Sequence, residues 1–421
     1  MPSPPLKRIS IQGYRAAREL EFEPGSLMAL VGEASSGKST VLTAIWTLLE
    51  AAAPPPTIED ISQDTARAEG PRSDKPGARP GHNASRPGSG HRARIHLEAE
   101  LERGSIFLDA TPPDTLNLNR AGAPPVLFLP ANLRSRSMVA PATGAGAADV
   151  AELLRPPLAA HHWAAADGGL ALVRGMERLV ASNLRKFVLL IEEPELYLSP
   201  HAQRHLHRVL RELAGHGNQI LYSTHAPVFL SVDRMEELAL VRHTDDGGTS
   251  LFQPAPLEEA ESFRALSEFD SDRAELFLAR AALLVEGRTE KMTFPLVFDA
   301  LGVEADKEGV LVLECGGKGN IPLFARICNH CGIPYVVVHD RDAPEGKRPI
   351  ESERVINRQI QEVAGRRRTV VLAPDFEAVS GVGARGRGRK PRKAYRRYFG
   401  NGDVPEPLKI AVEKVLREAR S

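Results

Sequence analysis

Residues 26–40 decide the fold of the N-terminal half, and they read SLMALVGEASSGKST. The run SLMALV predicts a fully buried β-strand, because its apolar residues follow one another instead of alternating with polar ones. A helix is predicted from Ser39 to about residue 52, directly after the glycine-rich turn. The turn satisfies G-x-x-x-x-G-K-[ST], and it has the preceding strand and the following helix that this phosphate-binding motif requires.

The chemistry of this loop is that of a polyphosphate site. Its glycines allow backbone N–H groups to surround the phosphates, and the helix N-terminus adds a favourable dipole. Lys38 is expected to reach the β- and γ-phosphates, and the hydroxyl of Ser39 is expected to bind Mg²⁺. A plain Gly/Ser turn is the alternative, which leaves the strand–loop–helix context unexplained. The predicted nucleotide-binding residues of the loop are Gly32, Glu33, Ala34, Ser35, Ser36, Gly37, Lys38, Ser39 and Thr40.

Length and composition set the broad class of the protein. The 421 residues suggest two or three domains, at roughly 100–200 residues each. The 54 basic and 54 acidic residues cancel, which excludes a global basic field, so a nucleic-acid site must be local. Three cysteines argue against a disulfide scaffold and for a reducing compartment. No apolar run is long enough to cross a membrane and the N-terminus has no signal-peptide core, so a cytoplasmic protein is expected.

RIHLEAELE and SIFLDA predict antiparallel strands, whereas helices and strands alternate from about residue 168 to QILYST and again from AALLVEG to YVVVHD, which predicts an α/β fold with parallel sheets. We expect a first domain over 1–270 that contains a disordered loop at about 65–92, because Gly, Pro and Ser dominate that segment. Residues 242–272 are expected to form acidic loops. A second α/β domain is expected over 271–400, followed by a C-terminal helix over 401–421.

Carboxylates follow a second buried strand of the first domain. FVLLI, at 187–191, is followed by Glu192 and Glu193, and such strand ends lie beside the phosphate loop in this kind of fold. Glu192 takes the position usually held by a Mg²⁺-associated Asp, and Glu193 is the candidate that polarises the attacking water. His225 ends the strand QILYST and is a candidate sensor of a γ-phosphate. The alternatives are a solvated acidic turn and a structural histidine.

These three motifs resemble the ATP-binding-cassette (ABC) ATPases, specifically the branch that contains SMC, RecF and OLD proteins. EEPELYLSPHAQ and STHAP are the segments that match. The resemblance implies that two heads sandwich ATP and that a signature segment of one head contacts the other's nucleotide. Residues 166–169 (ADGG) are the candidate signature, although they depart from the usual Ser-Gly-Gly, and Gln63 is the nearby candidate for a Q-loop glutamine.

The second domain places further carboxylates after its strands. Glu286 follows AALLV, Glu290 comes one helical turn later, and Asp340 and Asp342 end YVVVHDRD two residues apart. Carboxylates clustered at one sheet edge require cations, and oxygen ligands favour Mg²⁺ or Mn²⁺. Two-metal chemistry on phosphodiesters uses such an arrangement. Ordinary charged strand ends are the alternative.

This pattern resembles the Toprim domain of topoisomerases, primases, RecR-type proteins and OLD nucleases. Glu286, Asp340 and Asp342 match its metal-binding positions, and Glu290 matches an extra acidic residue of the OLD branch. The resemblance also implies a further metal ligand, for which Glu377 is the candidate against a plain loop residue. An active-site lysine is implied within GRKPRKA, where Lys390 is the better match and Lys393 the alternate.

Three smaller features remain open. In ECGGKGN, Lys318 could touch a phosphate, or the glycines could simply turn a loop. The basic run 385–397, with Tyr395 and Tyr398 in or beside it, could grip a nucleic-acid backbone or be a solvated tail. Cys328 and Cys331 form half a zinc pattern, although buried thiols are the favoured interpretation.

ATPase motifs followed by Toprim motifs in one chain are typical of the OLD (overcoming lysogenization defect) family. This resemblance implies an ATP-binding and ATP-hydrolysing, divalent-metal-dependent DNA endonuclease that acts in phage defence or DNA processing. It further implies ATP and Mg²⁺ (or Mn²⁺) as cofactors, DNA and a second copy of the chain as partners, and an association with a phage-defence partner protein. The alternative is a RecF-like, ATP-switched DNA-binding repair protein with a non-cutting Toprim domain. Topoisomerase-like transesterification lacks sequence support.

Overall fold

The computed structural model describes residues 3–50, 56–60, 94–111, 115–131, 165–230, 233–244, 247–343, 348–382, 390–398 and 403–420. The chain divides into two compact units. The first consists of Met1–Leu230 and Glu236–Gln253, and the second of Ser231–Met235 and Pro254–Ser421.

The first unit is built from two sheets and the helices that cover them. Its strands are β1 (Leu6–Tyr14), β2 (Ala17–Phe22), β3 (Leu27–Val31), β4 (Ile95–Leu101), β5 (Ser105–Thr111), β6 (Thr115–Asn119), β7 (Val126–Leu129), β8 (Val188–Glu192), β9 (Gln219–Thr224), β10 (Leu238–His243) and β11 (Thr249–Phe252). Its helices are α1 (Lys38–Leu49), α2 (Ala165–Ser182) and α3 (Pro200–Gly215). Helices and strands alternate from α2 to β9, as predicted, whereas β1–β3, β4–β7 and β9–β11 are runs of consecutive strands.

The strand order of the first unit determines where its site lies. One sheet, β2-β1-β4-β5-β6, is antiparallel, and the other has the order β11-β10-β3-β9-β8-β7. In the second sheet β10, β3, β9, β8 and β7 are parallel, which confirms the predicted parallel sheet. Val31 pairs with Thr224 and Glu192 pairs with Ser223, so the carboxyl ends of β3, β8 and β9 meet at one edge.

The core of the first unit explains why α1 begins where it does. Helix α1 buries Val41, Leu42 and Ile45, which pack into one apolar cluster with residues of both sheets. Gly37, in a left-handed conformation, is its N-cap, so the phosphate-loop motif leads straight into a buried helix. The loop is therefore held on both sides by buried elements.

The second unit is a four-stranded parallel sheet with helices around it. Its strands are β12 (Ala281–Val285), β13 (Val310–Glu314), β14 (Tyr335–Asp340) and β15 (Thr369–Leu372), in the order β13-β12-β14-β15. Its helices are α4 (Glu259–Glu268), α5 (Ser271–Ala274), α6 (Arg288–Ala300), α7 (Ile321–His330), α8 (Glu351–Ala364), α9 (Phe376–Ser380), α10 (Lys390–Tyr398) and α11 (Glu406–Ala419). Leu408, Val412 and Val415 of α11 belong to its core. Both units are α/β, as predicted.

The segment 242–272 differs from the expected acidic loops, because it contains β11 and α4. The glutamates of α4 made the segment look like a loop in the sequence. Phe269, which directly follows α4, stacks on Phe324 of the same unit at 4.9 Å between ring centroids. For the same reason the division between the units falls at Gln253–Pro254, ahead of residue 271.

Several predicted features fall outside the described residues, namely the loop at about 65–92, Gln63 and residues 385–389 of the basic run. The three cysteines are buried free thiols. Among the described residues no third and fourth ligand completes a zinc site with Cys328 and Cys331. None of the helices in the described part of the chain combines the length and apolar character needed to span a membrane.

Candidate functional site

The phosphate loop is closed around the side chain of Lys38. Its Nζ donates hydrogen bonds to the carbonyl oxygens of Gly32, at 3.0 Å, and Glu33, at 2.5 Å. Gly32 and Gly37 have φ angles of 156° and 104°, which L-residues rarely adopt. The backbone thus curves around the ammonium group, and we call this curved loop backbone the cradle.

A contact with β11 supports this cradle. The Thr249 hydroxyl donates a 3.1 Å hydrogen bond to the carbonyl oxygen of Ser36, which is itself buried. A Cβ on Gly37 would lie 2.2 Å from Oγ1 of Thr249. Thr249 lies in a segment expected to be loop, and sequence reasoning missed its role because the contact joins residues far apart in the chain.

Lys38 lies among the carboxylates that follow β8. Burial lowers the pKa of its ammonium group to about 8, and Glu193, Glu195 and Glu33 oppose that shift. The structure therefore brings Glu193 and the phosphate loop together. Ser39 and Thr40, the other polar residues of the motif, begin α1 beside Lys38.

The two adjacent glutamates play different structural parts. Oε2 of Glu192 accepts a 2.9 Å hydrogen bond from the backbone N–H of Ala131, just after β7. Glu193 has a left-handed backbone, with φ at 44°, and its N–H donates to the carbonyl oxygen of Ser223 at 2.9 Å. The chain therefore leaves the line of the strand at Glu193, directly after Glu192 ends β8.

Glu195 is a member of this site to which sequence reasoning gave no role. Its Oε1 accepts a 2.7 Å hydrogen bond from the backbone N–H of His225, and burial raises its pKa. Burial, with the charge of Lys38, lowers the pKa of the His225 imidazole. Glu195 therefore anchors the backbone of His225 close to the phosphate loop, and the neutral imidazole is the favoured form there.

The candidate signature segment is placed differently from the expectation. Residues 166–169 lie in the first turn of α2, whereas they were expected to precede that helix. A Cβ on Gly169 would lie 2.6 Å from Cδ2 of Leu198, so this glycine permits close packing of α2 on the segment after β8.

In the second unit, adjacent parallel strands bring Glu286 and Asp340 together. Glu286 directly follows β12, and Asp340 ends β14, which pairs with β12. The Asp340 N–H donates a 2.7 Å hydrogen bond to Oε1 of Glu286. Oδ1 of Asp340 accepts a 2.7 Å hydrogen bond from the N–H of Phe376, where α9 begins. The predicted convergence of carboxylates at this sheet edge is thus present for this pair.

Glu290, Asp342 and Glu377 form an acidic cluster with Glu286 and Asp340. Burial, chiefly, raises the pKa of Glu286 and Glu290 to about 7 and that of Asp340 to about 8. Repulsion between carboxylates raises these pKa values further. Asp340 and Glu377 act on Glu290, and Glu286, Asp342 and Glu377 act on Asp340. We call these five residues the carboxylate cluster: Glu286, Glu290, Asp340, Asp342 and Glu377.

Asp342 is engaged by a buried lysine. Lys318 Nζ donates to Oδ2 of Asp342 and, at 3.0 Å, to Oε2 of Glu353 on α8. Gly316 and Gly317 precede it with φ angles of 74° and 126°, and the Gly317 N–H donates to the carbonyl oxygen of Glu286 at 2.8 Å. The glycines therefore do turn the loop, and Lys318 faces carboxylates. Glu353 was missed, since nothing in its local sequence marks it.

The carboxylate oxygens of the cluster are suitable ligands for a metal ion, but their present spacing does not form a complete metal site. Among the described residues no three His, Cys, Asp or Glu side chains stand close enough together to hold an ion as they are arranged. The donors themselves fit, since they are all carboxylate oxygens and their ionised form is disfavoured without a compensating cation. A hard divalent ion matches this donor set, and the Lys318 ammonium provides part of the compensation at Asp342.

Helix α10 carries the candidate active-site lysines. Its backbone is described, but the side chain of Lys390 is not, and Lys393 is half-buried. Tyr398 is buried in the core, where its hydroxyl donates a 2.7 Å hydrogen bond to the carbonyl oxygen of Ser380. The expected contact of Tyr398 with nucleic acid is therefore wrong, because this tyrosine fixes α10 to the end of α9.

Comparison with protein families identifies both units. The model described as "Overcoming lysogenization defect protein-like, TOPRIM domain" matches residues 277–342, and an AAA ATPase domain model matches residues 173–230. These matches confirm the resemblance drawn from the motifs.

Individual relatives agree with the family models. The chain is 36% identical over 253 residues to an OLD nuclease of Thermus scotoductus (strain ATCC 700910 / SA-01), covering 55% of this chain and 48% of that protein. It is 28% identical to the Old nuclease of Escherichia phage P2, covering 37% of this chain and 28% of the relative. It is also 28% identical to endonuclease GajA of Bacillus cereus (strain VD045), over 41% of this chain and 29% of that protein. The chain thus spans about half the length of the first of these relatives, and less of the other two.

Proposed function

We propose, from the premise that this chain joins an AAA ATPase domain to an OLD-like Toprim domain, that it is an ATP-binding and ATP-hydrolysing, divalent-metal-dependent DNA endonuclease. The observation that carries the proposal is the carboxylate cluster at the carboxyl edge of the second sheet. Three of its members, Glu286, Glu290 and Asp340, have raised pKa values because they are buried together. A protein retains such repulsion where it serves a cation.

Within the cluster, the chain's own residues have distinct parts. Glu286 and Asp340 are fixed by backbone hydrogen bonds, so their carboxylates are oriented before a ligand arrives. Glu290, Asp342 and Glu377 would supply the remaining oxygen ligands. When bound, divalent ions such as Mg²⁺ or Mn²⁺ supply charge stabilisation at the phosphodiester. Lys390, or alternatively Lys393, would offset negative charge that develops during cleavage.

The ATP site follows from the first unit. Lys38 and the loop N–H groups would bind the phosphates, with Ser39 and Glu192 at the Mg²⁺ that accompanies ATP. Glu193 would polarise the attacking water, and His225 would contact the γ-phosphate. The proximity of Lys38, Glu193 and His225 supports these roles.

The biological setting is proposed from the family resemblance. We place the protein in the cytoplasm, as a homodimer that acts in phage defence or DNA processing, with a further defence protein as a candidate partner.

The decisive experiment incubates supercoiled plasmid with the protein and Mg²⁺ or Mn²⁺, with and without ATP. Asp340→Asn keeps an oxygen that can accept from the Phe376 N–H but removes the charge, so nicking should be abolished while ATP binding in the other unit persists. Asp299→Asn, an exposed acidic residue of α6, is the matched control and should cut normally. If the native protein fails to nick with Mg²⁺, Mn²⁺ or Ca²⁺ under every nucleotide condition, the non-cutting, RecF-like switch is the better interpretation.

A further inference from the structure

A cavity of about 290 Å³ lies in the second unit, away from the carboxylate cluster along the sheet. It is formed by the end of α8, the 3-10 turn Arg366–Arg368 that follows it, and the last turn of α11. We call it the arginine pocket, since its lining consists of Ala364, Arg367, Arg368, Arg417 and Glu418.

The arginines of this pocket differ in how the fold uses them. Arg368 is held in place: its Nε is 3.7 Å from Oε2 of Glu418, and its guanidinium lies 5.1 Å from the centroid of the Tyr335 ring. Arg367 and Arg417 are exposed, and within the described residues neither forms a hydrogen bond or an ion pair. The fold therefore places two guanidinium groups beside a third without using them for its own stability.

The charge of the lining points to an anionic ligand. Three arginines and one glutamate give it a net charge of +2, and Arg368 already engages the one carboxylate. Guanidinium groups stay charged at any physiological pH, so their mutual repulsion is not relieved by deprotonation. Their planar donor pairs match phosphate oxygens, which makes a phosphate group the natural counter-charge.

The position of the pocket in the second unit indicates that this phosphate belongs to a DNA backbone. The arginine turn leads into β15 at Thr369, whereas Asp340 pairs with Leu372 at the other end of the same strand. Three residues of strand separate the two ends by roughly 10 Å. Successive phosphates of one DNA strand advance about 3.4 Å along the duplex axis. A DNA backbone that runs from the carboxylate cluster along β15 would therefore pass the length of this strand within about three phosphates and continue towards the pocket.

We propose that the arginine pocket binds a backbone phosphate of duplex DNA outside the carboxylate cluster, through Arg367 and Arg417. This inference rests on the proposed function in taking DNA as the substrate. Arg368 and Glu418 position the pocket, and the two unpartnered guanidinium groups supply the contacts.

The test measures duplex binding by fluorescence anisotropy in EDTA at several salt concentrations, with Asp340→Asn as the parent so that cleavage cannot interfere. Arg367→Gln with Arg417→Gln should lower the slope of log K against log salt by about 0.9, because the protein no longer neutralises the one phosphate charge that the pocket binds. Arg358→Gln with Lys409→Gln removes two positive charges from α8 and α11 outside the pocket, and should leave the slope near that of the parent. Arg367→Lys with Arg417→Lys keeps the charges and should restore most of the slope.

Three results would overturn the proposal. The first is an equal slope for the pocket variant and the parent. The second is an equal reduction of the slope in the pocket and control variants, which would mean that any two positive charges on the surface contribute equally. The third is calorimetric binding of inorganic phosphate or AMP that is abolished in the pocket variant while its duplex slope is unchanged, which would assign the pocket to a free phosphate ligand. Thermal melting of each variant checks that it folds. Failure of the nuclease proposal is separable, because it appears as absent nicking by the native protein whatever these slopes show.

Discussion

The backbone N–H of Asp340 lies 2.7 Å from Oε1 of Glu286 and donates a hydrogen bond to it. This hydrogen bond joins the ends of neighbouring strands β12 and β14, so one oxygen of Glu286 holds the backbone that carries the next carboxylate. Burial nevertheless raises the pKa of both groups, to about 7 for Glu286 and about 8 for Asp340. The backbone therefore orients these two carboxylates, while Lys318 compensates the charge of the cluster only in part, at Asp342.

The first prediction is a pH-dependent stabilisation by divalent ions. Because the folded-state pKa values of Glu286, Glu290 and Asp340 are raised, the folded protein binds more protons than the unfolded chain between their ordinary values and about 8. Without metal, the free energy of unfolding of the second unit should fall as pH rises through this window. Mg²⁺ or Mn²⁺ should therefore raise its melting temperature more at pH 8.5 than at pH 6.

Asp340→Asn is the control for this measurement, because it removes one titrating carboxyl group from the cluster. It should show both a weaker pH dependence without metal and a smaller ion-induced shift. An ion-induced shift that is equal at the two pH values, or larger at pH 6, would contradict the assignment of the cluster as a cation site.

The second prediction concerns Lys318, which is buried and contacts both Asp342 and Glu353. Lys318→Met should lower the free energy of unfolding by about 1–3 kcal/mol, because it leaves two carboxylates facing each other without their cation. Glu353→Gln keeps the ion pair between Lys318 and Asp342 and should cost less. A double-mutant cycle by urea denaturation measures the coupling between Lys318 and Glu353. If the two single effects simply add, the pair is not coupled and this interpretation of the site is wrong.

Local sequence was sufficient to predict the strands that carry the carboxylates. Apolar runs such as residues 281–285 and 335–338 are buried on both faces of a parallel sheet, so the sequence itself marks where each strand approaches its end. The residue after such a strand then lies at the sheet edge by geometry. This is why the positions of Glu286, Asp340 and Glu193 could be anticipated.

Contacts between site residues and residues from distant parts of the chain could not be predicted in the same way. Thr249 meets Ser36 across 213 positions, and Glu353 meets Lys318 across 35. Such pairs depend on tertiary packing and leave no periodic signal in either segment. Helix α4 was missed for a different reason: three of its ten residues are glutamates, so its sequence resembles a loop.

The third prediction tests the close approach at Gly37. Its φ of 104° is unfavourable for any residue with a Cβ, and that atom would lie 2.2 Å from Oγ1 of Thr249. Gly37→Ala should cost about 1–3 kcal/mol of stability and distort the loop enough to weaken ATP binding severely. Gly215→Ala, where a Cβ meets nothing within 4 Å, should be neutral or slightly stabilising. Native ATP affinity in Gly37→Ala, measured with a fluorescent ATP analogue, would contradict the proposed cradle.

The last prediction separates nucleotide binding from hydrolysis in the first unit. Lys38→Ala removes the ammonium group that the loop carbonyls surround, and it should weaken ATP binding by at least about tenfold, the effect expected on removing a charged hydrogen-bond donor. Glu193→Gln keeps the size of the side chain but removes the charge that would polarise water. It should therefore bind ATP normally and release phosphate much more slowly, by roughly 10²–10⁴-fold for loss of general-base catalysis.

Matched controls keep these two outcomes interpretable. Lys7→Ala and Glu212→Gln change exposed residues of the same unit and should leave binding and hydrolysis unchanged. Binding is followed with the fluorescent analogue and hydrolysis by phosphate release. Equal ATP affinity in Lys38→Ala and the native protein would remove the phosphate loop from the ATP site. Equal hydrolysis in Glu193→Gln and the native protein would transfer the catalytic role to another carboxylate, and Glu195, which accepts a hydrogen bond from the His225 N–H, is the candidate on the same turn.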